Sequence, residues 1–230
     1  MLQQTQVPRV IPKYEAFLGA FPDVEVLASA ELAEVLAAWS GLGYNRRAKS
    51  LKQAAETIVA EYGGRVPGTV EGLTALPGIG FATAAQILAF AFDVAVPFIE
   101  TNIRSVYIHE FFGDAEGIPD SAILPLVEAT LDHDDPRTWY YAIMDYGTHL
   151  KSTLPNPSRR SAHHTKQSRF EGSMRQVRGA LLREITARPG QSVAKLADTT
   201  GFEADRVESA LEALATEGFL IAEDGCYRIA

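Results

Sequence analysis

Two short stretches of this 230-residue chain carry side chains whose type and spacing could do chemistry. In "PFIETNIRSV", residues 97–106, Glu100 follows an apolar run, where a partly buried carboxylate is costly unless it has a task. Such an acid could stabilise developing positive charge or orient a water. Equally, a glutamate at a helix start is favoured by the helix dipole alone. In "ALPGIGFATA", residues 75–84, Gly78 and Gly80 flank Ile79 ahead of a helix that opens near Phe81. Bare glycines let another backbone approach, and the free amides of a helix start suit a phosphate. The same turn could be a helix–helix corner that needs glycine for its geometry.

Apolar residues recur at three- and four-residue spacing through most of the first 150 positions, which predicts helices over 11–21, 31–42, 46–64, 75–92, 99–112, 121–131 and 136–151. No strand is expected there. The stretch 152–173, "STLPNPSRRSAHHTKQSRFEGS", is rich in serine and poor in apolar residues, as in a linker or a surface-hugging loop. Beyond it come three helical patterns, 173–187, 192–201 and 203–219, and then two apolar runs around Asp224-Gly225, a hairpin signal. Three helices and a hairpin resemble a winged helix. The expected fold class is therefore mainly α, with a small winged-helix-like domain and a C-terminal β-hairpin. The expected domains are 1–151, a basic linker 152–173, and 174–230.

The net charge of −8 speaks mildly against a nucleic-acid partner, but it is unevenly spread. Residues 1–150 carry −10, residues 151–173 carry +4 and residues 174–230 carry −2. On charge alone the basic strip is as well read as a solvated linker. The third C-terminal helix holds Glu203, Asp205, Glu208, Glu212 and Glu217 against Arg206, a face that repels phosphates and favours a structural or protein-contact role. A lone cysteine, Cys226, excludes an internal disulfide and a multi-cysteine cluster, and His163-His164 form no recognisable metal site. No apolar run is long enough to span a bilayer, and the first residues lack the layout of a secretory signal. Cytoplasmic residence is the expectation.

"LPGIG" followed by small residues resembles the helix-hairpin-helix of the base-excision DNA glycosylase superfamily that includes endonuclease III and the MutY-type adenine glycosylases. Further matches occur along the chain. "MLQQTQV" (1–7) resembles the MutY-type motif near the flipped base, and "WSGLGYNRRAKSL" (39–51) the helix junction with a DNA-wedging tyrosine. "PFIETNIRSV" sits where the family has its Pro–x–x–Asp segment, and "AIMDYG" (142–147) resembles the stretch before its iron–sulfur loop. The resemblance implies an all-helical glycosylase domain that hydrolyses the N-glycosidic bond of a flipped, mispaired base, adenine first, in double-stranded DNA. It makes Glu100 the catalytic acid, with Asn102 beside it. Leu2 and Gln3 would lie near the extruded base, Gln4 and Tyr44 would wedge the duplex, and Leu76, Pro77, Gly78, Ile79 and Gly80 would hold a phosphate. Arg159, Arg160 and Lys166 would contact the DNA backbone.

The departures from the family pattern are as informative. Glu100 replaces an aspartate and is one methylene longer. The family's second catalytic glutamate lies two residues before the position of Met1, so the true start is expected further upstream. Ala82 stands where bifunctional members place a lysine nucleophile, so strand cleavage through a Schiff base is not expected. Lys151 stands where the first cluster cysteine would be, and a four-iron cluster, which needs four thiolates, is not expected; nor is any other cofactor. The MutY-type domain that reads oxidised guanine is replaced by the winged-helix-like segment. The alternative is a catalytically impaired DNA-binding protein on a glycosylase scaffold; a winged-helix regulator leaves the ordered motifs unexplained.

Overall fold

A computed structural model describes residues 1–3, 5–165 and 169–230. Packing divides the chain into two compact units that do not follow sequence order. The first comprises Met1–Val66, Leu76–Gly78 and Ser168–Ala230, and the second Pro67–Ala75 and Ile79–Gln167. These boundaries fall elsewhere than the sequence divisions at 151 and 173, because residues from both ends of the chain share one core.

The first unit opens with α1 (Val7–Ala20), α2 (Val24–Ser29), α3 (Leu32–Trp39) and α4 (Arg46–Tyr62). The short α2 escapes a periodicity reading, but Asp23 announces it: its carboxylate accepts the Val26 amide at 2.8 Å. Glu31 and Glu34 form a capping box on α3, and Gly63, left-handed at φ 59°, ends α4. The same unit holds α10 (Met174–Ala187), α11 (Val193–Thr200) and α12 (Ala204–Thr216). A three-stranded antiparallel sheet of order β1-β3-β2 completes it, from β1 (Gln191–Ser192), β2 (Leu220–Glu223) and β3 (Cys226–Ile229). The turn between β2 and β3 places Asp224 and Gly225 at φ 50° and 73°, as the hairpin signal predicts. Two-residue β1 is too short to show an alternating pattern. Val177, Leu181 and Ile185 of α10 are fully buried in one cluster with Val35, Leu36 and Trp39 of α3. That shared core joins the winged-helix-like segment to the N-terminal helices.

The second unit contains α5 (Val70–Thr74), α6 (Phe81–Ile87), α7 (Thr101–Phe111), α8 (Asp120–Thr130) and α9 (Pro136–Thr153). The stretch read as a single helix over 75–92 is a turn, then α6, then a π-helical turn at Leu88–Phe92. Phe98 stacks on Tyr140 with ring centres 4.3 Å apart, and the Tyr140 hydroxyl donates to the Val96 carbonyl at 2.7 Å. Burial pushes the Tyr140 hydroxyl pKa well above its ordinary value. Helices α7 and α9 pack unusually close: a Cβ on Gly147 would lie 2.7 Å from the Asn102 carbonyl carbon. The first part of the basic strip hugs this unit. Pro157, Ser158 and Ser161 are buried around a 3₁₀ turn, Pro157–Arg160, and Ile118 bridges Ser161 in parallel. Among the described residues no helix is long and apolar enough to cross a membrane.

Two glycines make opposite predictions. Gly147→Ala drives a methyl into the α7 backbone and is expected to destabilise the protein by about 1–3 kcal/mol. Gly179, inside α10, has open space around its Cβ direction, and Gly179→Ala is expected to stabilise by about 0.5–1 kcal/mol. Urea denaturation of the two variants, compared at equal m-value, checks both.

Candidate functional site

The acid predicted from sequence stands at the start of α7. Glu100 is its N-cap, extended at φ −123°, and is partly buried. Its Oε1 accepts the Asn102 and Ile103 amides at 2.6 and 2.8 Å, and its Oε2 accepts the Asn102 side-chain amide at 3.3 Å. The structure thus brings Glu100 and Asn102 together as expected. The Asn102 side-chain oxygen Oδ1 in turn accepts from the Thr148 hydroxyl at 3.4 Å. Thr148 and the close-packing Gly147, both on α9, are positioning residues that sequence reasoning missed, although Gly147 closes the "AIMDYG" motif.

The glycine turn has the local form expected of it. Leu76 is buried, Gly78 is left-handed at φ 75°, and Gly80 is the extended N-cap of α6. Pro77 and Ile79 are half-buried, and Gly78, Gly80 and Ala82 are exposed. Glycine is needed twice over at position 78. The backbone is in a region L-residues avoid, and a Cβ would come within 2.5 Å of Ser50 on α4.

A second irregular turn lies between α3 and α4, where Gly41, Gly43 and Tyr44 all have positive φ, at 91°, 72° and 50°. An aromatic residue in the left-handed region costs of order 1–3 kcal/mol, and such outliers cluster at functional sites. The turn is held by the Trp39 indole N–H, which donates to the Gly43 carbonyl at 3.0 Å. Tyr44 presents a side chain that is 43% exposed. Leu2 and Gln3 are also exposed; Gln4 lies outside the described residues. Trp39 and the glycines flanking Leu42 were quoted within a motif but not singled out.

The basic strip divides. Arg159 is exposed, whereas the Arg160 guanidinium donates to the carbonyls of Gly113, of Ile108 at 3.2 Å and of Ala115 at 3.5 Å. Arg160 is committed to the protein's own backbone, a use that charge counting cannot foresee. Arg169 pairs with Glu171 at 2.5 Å, and Lys166 lies outside the described residues. The residues present do not fit a four-iron cluster. The segment after α9 is packed through proline, serine and arginine, and the chain's one thiol, Cys226, sits in β3.

A family model for the HhH-GPD superfamily of base excision DNA repair proteins matches residues 1–135. An adenine DNA glycosylase of Mycolicibacterium smegmatis is 37% identical over 198 residues, covering 79% of this chain and 68% of the relative. One from Mus musculus is 34% identical over 198 residues, covering 83% of this chain but only 36% of the relative. The chain therefore spans about a third of the mouse protein's length. The solved structure of a thermostable thymine-DNA glycosylase shares the fold, with a TM-score of 0.55 and 23% identity over 64% of this chain and 69% of that one.

Gly78→Ala is expected to cost about 2–4 kcal/mol, from the strained φ and the collision with Ser50 together. Adding Ser50→Gly relieves only the collision, so the double variant is expected to recover part of the loss and to stay about 1 kcal/mol below a Ser50→Gly reference. Thermal melts of the four-member cycle measure the two contributions.

Proposed function

The chain belongs to the HhH-GPD superfamily of base excision DNA repair proteins, and from that premise we propose that it is a DNA N-glycosylase hydrolysing the bond between deoxyribose and a mispaired base in duplex DNA. Adenine is the proposed base, because the sequence relatives are adenine DNA glycosylases. The observation that carries the reading is the carboxylate of Glu100, fixed by two backbone amides at a helix start with Asn102 beside it.

In this reading the target nucleotide leaves the stack, at a cost of a few kcal/mol, and Tyr44 fills the gap. As the C1′–N9 bond breaks, its electron pair departs with the base and positive charge builds on the sugar. The Glu100 carboxylate stabilises that charge through Oε2 and orients the water that adds to C1′; the proton this water loses balances the one the departing base takes up. Ala82 offers no amine for a Schiff base, which makes the proposed chemistry hydrolysis alone. The amides around Gly78–Gly80 and the exposed Arg159 are the proposed phosphate contacts.

One observation favours a second reading, a DNA-binding protein whose catalysis has lapsed: the Glu100 carboxylate already serves a structural task as the cap of α7. Single-turnover base release decides between them. Duplexes carrying A opposite G or oxidised G are incubated with this chain and with an upstream-extended form, and abasic sites are revealed by alkali. Base release is expected, slowed at least about 10²-fold by Glu100→Gln with DNA binding retained. No release by either form, with steeply salt-dependent DNA binding, overturns the enzyme reading in favour of the binding protein.

A further inference from the structure

Arg47 occupies the first turn of α4, where the helix dipole disfavours a cation, and among the described residues it forms no ion pair. Its guanidinium is instead enclosed by carbonyls, a hydroxyl and rings. Nη1 donates to the Met1 carbonyl at 3.1 Å and the Gln3 carbonyl at 2.7 Å. Nη2 donates to the Thr5 hydroxyl at 3.3 Å and, on its other side, to the carbonyls of Gly43 at 3.3 Å and Leu42 at 3.4 Å. The carbon between them lies 5.4 Å from the centre of the Trp39 ring and 5.5 Å from that of Tyr44. Nε is buried without a partner. A partly buried cation that, among the described residues, has an unsatisfied donor and no carboxylate partner is an unfavourable arrangement to keep for packing alone.

What the arrangement achieves is a bridge between two segments 40 positions apart, residues 1–5 and the Gly41–Tyr44 turn. Each segment presents one exposed apolar side chain, Leu2 at 59% and Tyr44 at 43%. Exposed apolar side chains on a rigid support are what a protein inserts between base steps to unstack them. Only a planar fork with several donors can serve both segments at once; an ammonium is a single point.

We propose that Arg47 is a positioning residue that locks Met1, Gln3 and Thr5 to the Gly41–Tyr44 turn, so that Leu2 and Tyr44 enter the duplex as one wedge. The proposal rests on the reading that this chain extrudes a base. Arg47 touches no substrate in this role and acts through the two segments it joins.

The test uses Arg47→Lys, which keeps the charge and loses the fork, and Arg47→Met, which keeps the apolar stem. Hydrogen exchange on the free protein is expected to quicken at the amides of residues 2–5 and 41–44 in both variants, with α7 and α10 unchanged. Emission from 2-aminopurine in a duplex reports unstacking without any chemistry. Its rise on binding is expected to fall at least about tenfold in both variants and in Tyr44→Ala, and no further in Arg47→Lys combined with Tyr44→Ala. The salt slope of binding to undamaged duplex is expected to stay at the wild-type value in Arg47→Lys and Arg47→Met. Unchanged exchange at both segments overturns the lock. Faster exchange with full unstacking overturns the positioning role, and a shallower salt slope in Arg47→Met makes Arg47 a phosphate contact instead. If the wild type itself leaves 2-aminopurine stacked, the base-extrusion reading fails, and the exchange result alone decides whether the lock exists.

Discussion

The closeness of α7 to α9 is the constraint on which the acid half of the molecule depends. Because Gly147 has no side chain, the backbone at Asn102 sits against α9, and α7 has its first turn fixed in place. That fixes the two amides that Glu100 accepts, and with them the direction of its carboxylate. The buried faces of α7 and α9, Ile103, Tyr107 and Tyr140 among them, hold the approach. Both oxygens of this long side chain are thereby tied to the helix start.

The C-terminal segment supports the other half. Glu217, at the end of α12, receives Arg46 at 3.0 Å and Arg178 at 2.6 Å. Burial pushes its pKa up, but hydrogen bonds from the two arginines prevail and hold it below the usual carboxylate range. Lys49 donates to the carbonyls of Glu217 and of Gly218, the latter at 2.8 Å, with its ammonium 5.1 Å from the centre of the Phe219 ring. Ion pairs as exposed as that of Arg46 contribute little on their own. Their importance lies in direction: Arg46 and Lys49 of α4 are turned toward the end of α12, which becomes a brace for the start of α4.

The sequence was most legible where one residue type has one physical use. Glu100 was legible as a helix cap, because a carboxylate ahead of an apolar helix satisfies the free amides of its first turn. Gly78 and Asp224-Gly225 were legible for the same reason, as each satisfies a backbone need that few residues meet. Arg47 and Arg160 were not. An arginine's charge is visible in the sequence, but its role here is to donate to carbonyls distant along the chain, and only the fold reveals those partners. The boundary between the two units was hidden as well. The apolar stripe of α10 reads as the core of a separate small domain until Val35, Leu36 and Trp39 are found across from it.

That interleaving sets an order of events during synthesis. Residues 1–66 are made before α10, so Val35, Leu36 and Trp39 lack the α10 side of their core until Val177, Leu181 and Ile185 follow. Most of the later unit, residues 79–167, is complete earlier and carries its own core of Phe98, Ile103, Ile123 and Tyr140. Part of the apolar surface of α3 is therefore left uncovered for as long as the second unit is being made, and such surface is what a nascent chain risks in aggregation.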